Sequence, residues 1–302
     1  MDRPSLSVVI AAHNAGRVVD TCLSALEPQC RDGLAEVILA DSSTDGTVEQ
    51  VRTRFPWVRL LSFTEPLTVP ALRGRGIAAS SGGVIAILDP YSVAAPDWVE
   101  RVVDVHARQP QPVIGGSVGL YREASASMAD WTLFLNEYGL FMPPITRGET
   151  WIVPGSNVAY KRAVLFDGER PRYPVFWKTF ANWDIEGSGS PLWLEPAMHV
   201  DLYKPIPLGD YFRTRYDHGR CFAGMRVSGA PTTVRLLRAL STPAVPLVLL
   251  WRWTRGFWPK GRRRGRYLAA LPAQLALFSM WAWGEARGYL GGSGRCCERL
   301  FY

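Results

Sequence analysis

The chain has 302 residues and carries 34 Lys and Arg against 27 Asp and Glu, a net charge of +7. That length excludes a fold too small to hold its own core and accommodates one large α/β domain or two smaller ones. The charge is unevenly placed. Residues 1–202 hold 17 basic and 23 acidic side chains, whereas residues 203–302 hold 17 and 4. Such a split points the C-terminal third toward an anionic partner: phosphate groups, a membrane surface or nucleic acid.

The pattern from the N-terminus alternates. Met1-Asp2-Arg3-Pro4 leads directly into the apolar run Leu6 to Ala12, without a signal peptide before it, so the N-terminal part is expected in the cytosol. A helical stretch from Arg17 to Leu26 follows, then a second apolar run, Ala35 to Ala40, ending at Asp41. Next come a helix over Thr47 to Phe55 and a third run, Val58 to Phe63. Arg73-Gly74-Arg75-Gly76-Ile77 reads as a basic turn entering a helix, before a strand over Val84 to Leu88 that ends at Asp89. Apolar strands without polar alternation, separated by helices, indicate a mostly parallel sheet covered on both faces.

Ligands bind such sheets beyond the carboxyl ends of the strands. The polar residues to weigh are therefore His13-Asn14, the stretch Asp41 to Thr47, and Asp89. Asp45 or Thr47 suits a helix cap. Asp41 sits at a strand end, where a carboxylate accepts hydrogen bonds from a ribose or a base. Arg73 and Arg75 suit a diphosphate, or are plain surface charges.

Cys22, Cys30, Cys221, Cys296 and Cys297 form no CxxC pair and no His/Cys cluster, which argues against zinc. The vicinal pair 296–297 is read as two ordinary thiols in a reducing compartment, ahead of a disulfide or a lipidation site.

Taken in order, Leu6 to Asn14, Ala40 to Thr47, Arg73 to Ile77, Leu88-Asp89-Pro90-Tyr91, Ala95 to Glu100 and Pro154 to Arg162 resemble the family 2 glycosyltransferases, which have the GT-A fold. The likeness covers the first two-thirds of the chain. It implies a nucleotide-sugar donor, UDP- or GDP-linked, with Ala12, His13 and Asn14 lining the base. Asp41 would hold base or ribose, Arg73 and Arg75 would face the diphosphate, and Asp89 would open the family's D-x-D metal motif. Gly155, Ser156 and Asn157 would lie under the donor sugar or the acceptor, unless they form only a tight turn.

The chain departs from that pattern at two points. Tyr91 stands where a second carboxylate is expected, and a neutral phenol is a poor ligand for Mg or Mn. Metal binding is then weak, with arginines and helix N-termini neutralising phosphate, or donor binding proceeds without metal, or activity is lost. The family's Glu-Asp base pair is replaced by Asp184 and Glu186, of which at most one serves, and Glu137 is an outside candidate. Phe212-Arg213-Thr214-Arg215-Tyr216 echoes the Q-x-x-R-W segment of processive members, which makes Arg215 and Arg220 weak candidates for diphosphate or acceptor contacts.

Toward the C-terminus, apolar stretches over Pro243 to Trp253 and Tyr267 to Trp283 flank the polybasic Lys260 to Arg266. The first is too short to span a bilayer, and the second, with Pro272 and Gln274 inside, is marginal. Interfacial or re-entrant helices held by tryptophans and by arginines facing anionic lipid fit better, and fit better than nucleic acid. The expected organisation is a GT-A domain over 1–234, divided into a nucleotide half (1–100) and an acceptor half (101–234), then membrane-association helices over 235–302. The expected function is sugar transfer, with inversion, to a lipid-linked or membrane-proximal acceptor on the cytoplasmic face of a membrane. A catalytically silent GT-A scaffold is the alternative.

Overall fold

The computed structural model describes residues 4–30, 32–204 and 206–300. The first part of the chain alternates strand and helix as β1 (Leu6–Ala12), α1 (Val19–Cys30), β2 (Ala35–Asp41), α2 (Thr47–Arg54), β3 (Arg59–Ser62), α3 (Val69–Ala79) and β4 (Val84–Leu88). It continues with β5 (Ser92–Ala94), α4 (Trp98–Arg108), β6 (Val113–Leu120), α5 (Met128–Tyr138), β7 (Gly148–Thr150) and β8 (Asn157–Lys161). After α6 (Arg162–Leu165), β9 (Phe166–Asp167) and β10 (Arg170–Pro171) come α7 (Lys178–Gly187) and β11 (Leu192–Leu202). The rest is helical: α8 (Leu208–Arg226), α9 (Thr232–Ser241), α10 (Val245–Phe257) and α11 (Arg264–Gly291).

By contacts the chain forms two compact units. One comprises the residues up to Tyr121 with Phe141–Tyr203, and the other Arg122–Leu140 with the chain from Lys204 on. The units are interleaved in sequence.

In the first unit the described residues build a nine-stranded sheet ordered β3-β2-β1-β4-β8-β6-β11-β5, with β7 on β11. β1 pairs parallel with β2 and β4, in a register that sets Ala12 beside Asp41 and Ile10 beside Leu88. β8 runs antiparallel between β4 and β6, and β6 is parallel to β11. Strands β1, β2, β4, β6 and β11 therefore finish at one edge. Every residue of β1 is buried, as sequence without polar alternation requires. Val9, Ile85, Ile87 and Val158 from the sheet pack with Ile77 of α3 and Ile185 of α7.

In the second unit α5 begins with a capping box between Ser127 and Asp130. Its buried face meets α11 through Gln274, whose amide donates to the Thr132 carbonyl at 2.8 Å and accepts from Asn136 at 2.9 Å. Gln274 is thus the polar joint of a helix–helix contact. Cys296 and Cys297 are not two ordinary thiols: Cys221 on α8 and Cys297 form a disulfide, while Cys22, Cys30 and Cys296 are free. The helix α8 brings Cys221 within 5.1 Å of Cys297, Cα to Cα, a proximity that residue spacing along the chain does not reveal.

Candidate active site

Two loops at the carboxyl edge of the sheet are stitched together. His13 donates Nδ1–H to the Ser42 carbonyl at 3.0 Å, and the Asn14 N–H donates to Ser43 Oγ at 2.7 Å. Asn14 Oδ1 accepts from the Thr44 N–H at 2.9 Å, and Asp45 accepts from the Gly16 N–H at 3.3 Å. Asn14 does this at φ 52, a left-handed conformation that Asn tolerates better than most residues. Asp45 also accepts from the Thr47 N–H at 3.1 Å, an Asx turn leading into α2; the N-cap itself is Gly46, at φ 87 and without a side-chain cap, and not Asp45 or Thr47.

Asp41 ends β2 at the floor of these loops and is fully buried. Its carboxylate accepts from the N–H and hydroxyl of Ser43 at 2.6 and 3.0 Å. Burial raises the Asp41 carboxyl above its ordinary range, with Asp45 adding to the shift and the Ser43 bonds opposing it.

Arg73 and Arg75 lie inside α3, not in a turn before it. The glycines between and after them serve packing: a Cβ on Gly74 would collide with the Pro174 carbonyl, and one on Gly76 with Val9 Cγ1. Two residues apart on a helix, the arginines point about 200° away from each other. Arg73 turns inward and donates Nη2–H to Asp89 Oδ1 at 2.7 Å, whereas Arg75 is exposed. The hydroxyl of Tyr91 donates to Asp89 Oδ2 at 3.0 Å. Below them, burial pushes the Cys22 thiol up to about 12, so it acts as an apolar filler and not as a nucleophile.

A divalent cation bridging two phosphates requires hard oxygen ligands free to turn toward it. Both carboxylate oxygens of Asp89 are engaged, and the neighbouring position supplies a phenol. Among the described residues no group of three His, Cys, Asp or Glu side chains is placed to hold a metal. This edge offers a cation one carboxylate and a phenol.

The Gly155-Ser156-Asn157 segment enters β8. Asn157 is fully enclosed: Trp98 Nε1–H donates to its Oδ1 at 3.0 Å, and its amide donates to the carbonyls of Ser117 and Met198 at 2.9 and 2.8 Å. Ser156 is equally buried, which leaves Gly155, half-buried, as the most open of the three. A Cβ there would collide with Lys178 Nζ, so the ammonium that opens α7 lies over this loop. Nothing local in the sequence distinguishes Lys178 from a surface lysine.

On α7, Asp184 is exposed and accepts from the Tyr173 hydroxyl at 2.7 Å, while Glu186 is half-buried. At the far end of β11, His199 Nδ1 lies 2.7 Å from Ser117 Oγ, and its Nε2 lies 3.1 Å from Asp201 Oδ1. This half-exposed pair was also missed, although His199-Val200-Asp201-Leu202 alternates polar and apolar at a strand end. The Tyr203 N–H beyond it donates to the Tyr91 carbonyl at 3.1 Å.

The other candidates belong to the second unit. Glu137 is held by Lys204 Nζ at 3.1 Å and by the Tyr211 hydroxyl at 2.8 Å. Burial opposes its charge, but Lys204, Arg215 and the Tyr211 hydroxyl outweigh that and hold the carboxyl at about 2. A carboxylate so stabilised is a poor base. The Arg215 guanidinium stacks on Trp281 at 4.5 Å, and Arg220 Nε–H donates to the Gly292 carbonyl at 3.3 Å. Both arginines are tied into helix packing.

The sequence profile described as Glycosyl transferase family 2 matches residues 7–166. Glycosyltransferase AglE of Haloferax volcanii is 32% identical over 120 residues, 38% of this chain and 40% of its own length. The glucosyl-dolichyl phosphate glucuronosyltransferase of the same organism is 29% identical over 107 residues, 32% of this chain and 31% of its own. The aligned part thus spans well under half of these curated relatives. The mannosyltransferase PcManGT from Pyrobaculum calidifontis, solved in complex with GDP-Man and Mn2+, superposes with a TM-score of 0.53 at 19% identity, covering 97% of this chain and 86% of that one. At that identity the likeness is one of fold.

Proposed function

Since the chain belongs to glycosyl transferase family 2 and has the GT-A fold, we propose that it moves a sugar from a UDP- or GDP-linked donor to a lipid-linked or membrane-proximal acceptor, with inversion. The observation that carries this reading is the placement of Arg73, Asp89 and Tyr91 at the end of β4, on the edge that also bears the stitched His13–Asp45 loops. Ala12, His13 and Asn14 line the base, and Asp41 receives a donor hydroxyl or ring N–H. Arg73 meets the diphosphate with a guanidinium fork suited to phosphate. Lys178, over Gly155, adds a second cation. Arg75, on the opposite face of α3, is left out of this role.

The chemistry follows from those positions. The acceptor oxygen attacks the anomeric carbon and forms the new C–O bond. The bond to the diphosphate breaks and the nucleoside diphosphate leaves with the electron pair. The hydroxyl proton passes to a carboxylate, which we assign to Asp184 because the Tyr173 hydroxyl fixes its direction. Glu186, two residues on, points to another side of α7. Donor binding leans on Arg73 and Lys178 more than on a divalent metal, since position 91 supplies a phenol in place of a second carboxylate.

The names of relatives support the acceptor class: one acts on a glucosyl-dolichyl phosphate. The basic, apolar second unit supports a site on the cytoplasmic face of a membrane. The sequestered Asp89 favours a second reading, a GT-A domain that binds nucleotide and does not turn over. Hydrolysis of a panel of UDP- and GDP-sugars, with chelator and with Mg or Mn, separates the two. Turnover in chelator is expected; nucleotide binding without turnover of any donor would establish the scaffold.

A further inference from the structure

Residues Thr232–Gly261 form one helical run of 30 residues, because the link between α9 and α10 keeps helical backbone angles. Its inward side is occupied. Arg235 donates to the carbonyls of Tyr289 and Leu290 at 2.9 and 3.1 Å, Ala239 packs on the cluster of Ala223, Val227 and Tyr289, and the Thr254 hydroxyl meets that of Tyr267 at 2.7 Å. Its outward side is a single apolar stripe. Leu237, Leu240, Leu247 and Trp251 recur at helical spacing and are 68%, 76%, 65% and 59% exposed. Leucines this open, in an unbroken line, are not the scattered apolar residues of an ordinary surface.

Length and charge decide how such a run meets a bilayer. Between Arg238 and Arg252 lie 13 uncharged residues. At helical rise they cover about 20 Å, against about 30 Å of hydrocarbon. A crossing run would carry arginine into the core, where charge is expensive. Lying flat, the same helix sinks its leucines and keeps its arginines at headgroup level. The tryptophans agree: Arg255 lies 5.7 Å over the Trp251 ring, and Arg264 lies 4.8 Å over Trp258. These pairs combine an apolar ring with a phosphate-seeking cation. The surrounding sequence, 17 basic to 4 acidic over residues 203–302, is complementary to an anionic surface.

We propose that the stripe from Leu236 to Trp258 is a docking surface for an anionic lipid bilayer, with the helical run lying in the membrane plane and not crossing it. The inference rests on the membrane-proximal reading above, but its test needs neither donor nor acceptor, so failure of one leaves the other standing. The full-length protein is sedimented with phosphatidylcholine vesicles with and without phosphatidylglycerol. Partition about tenfold stronger onto the anionic vesicles is expected, and about tenfold weaker for L237E/L240E. Circular dichroism and nucleotide binding of that variant should match the parent, since both side chains are open to solvent. Alkaline carbonate should strip the protein from native membranes. Failure to bind anionic vesicles, wild-type partition by L237E/L240E, or resistance to carbonate would each overturn the proposal. So would a defined dimer that L237E/L240E dissociates, which would assign the stripe to a second copy of the chain.

Discussion

Arg73 and Asp89 meet at 2.7 Å with 14% and 5% of their side chains exposed, a largely buried ion pair at the end of β4. A pair in that setting is held together as much by the cost of separating it as by its own attraction.

Replacing Asp89 with Ala removes the carboxylate that the Arg73 guanidinium meets. Unfolding free energy in urea should fall by about 3 to 5 kcal/mol, as for one partner removed from a buried pair. Donor turnover should be lost with it, and unchanged kinetics would remove Asp89 from the diphosphate site.

Donor affinity should be indifferent to divalent cation. Calorimetric titration with UDP- or GDP-sugar is expected to give the same Kd in chelator and in Mg or Mn, because Asp89 is committed to Arg73 and Tyr91. Tyr91→Asp restores a carboxylate and should bring a cation dependence that the parent lacks.

Gly74→Ala sets two effects against each other. Helix propensity predicts a gain of about 1 kcal/mol. The new Cβ would strike the backbone carbonyl of Pro174, which cannot swing aside as a side chain can. Net destabilisation is expected, read as a lower urea midpoint; a more stable variant would show that Pro174 yields.

Glu137 makes stability depend on acid. Its carboxyl, normally 4.5, is held at about 2 in the folded protein. A depressed carboxyl contributes its stabilisation above the unfolded value and loses it as pH falls through the folded one, here about 3 kcal/mol in full. Glu137→Gln should therefore unfold more easily than the parent at neutral pH, with the gap closing between about pH 4.5 and 2. A gap that stays constant would mean that lost packing, and not charge, is responsible.

Alkylation of the denatured protein without reductant should modify Cys22, Cys30 and Cys296 and spare Cys221 and Cys297. Reduction should lower the melting temperature, since the bridge joins residues 76 apart in sequence.

Much of the first unit was legible in the sequence. Strands such as Leu6–Ala12 and Val84–Leu88 announce themselves because a sheet covered on both faces admits no polar alternation, and Asp41 and Asp89 stand out as charges stopping such runs. Arg73 and Arg75 were misread as a turn because Gly74 and Gly76 look like chain breakers when their contacts are unseen. Lys178, His199 and Asp201 were missed because their placement comes from elements whose approach no local pattern encodes. The Cys221–Cys297 bridge escaped notice for the same reason: it depends on which helix lies beside which.

The interleaving of the two units sets an order on synthesis. Helix α5 is made early, with Trp131, Leu133, Phe134 and Leu135 all buried around it, yet it takes partners from the far end of the chain: Asn136 awaits Gln274, and the Leu135 carbonyl awaits Trp253. At ribosomal speeds those partners emerge on the order of ten seconds later. For that interval the nascent protein presents an unsatisfied aromatic helix, and the demand for a chaperone or an early surface to shelter it is written into the chain's connectivity.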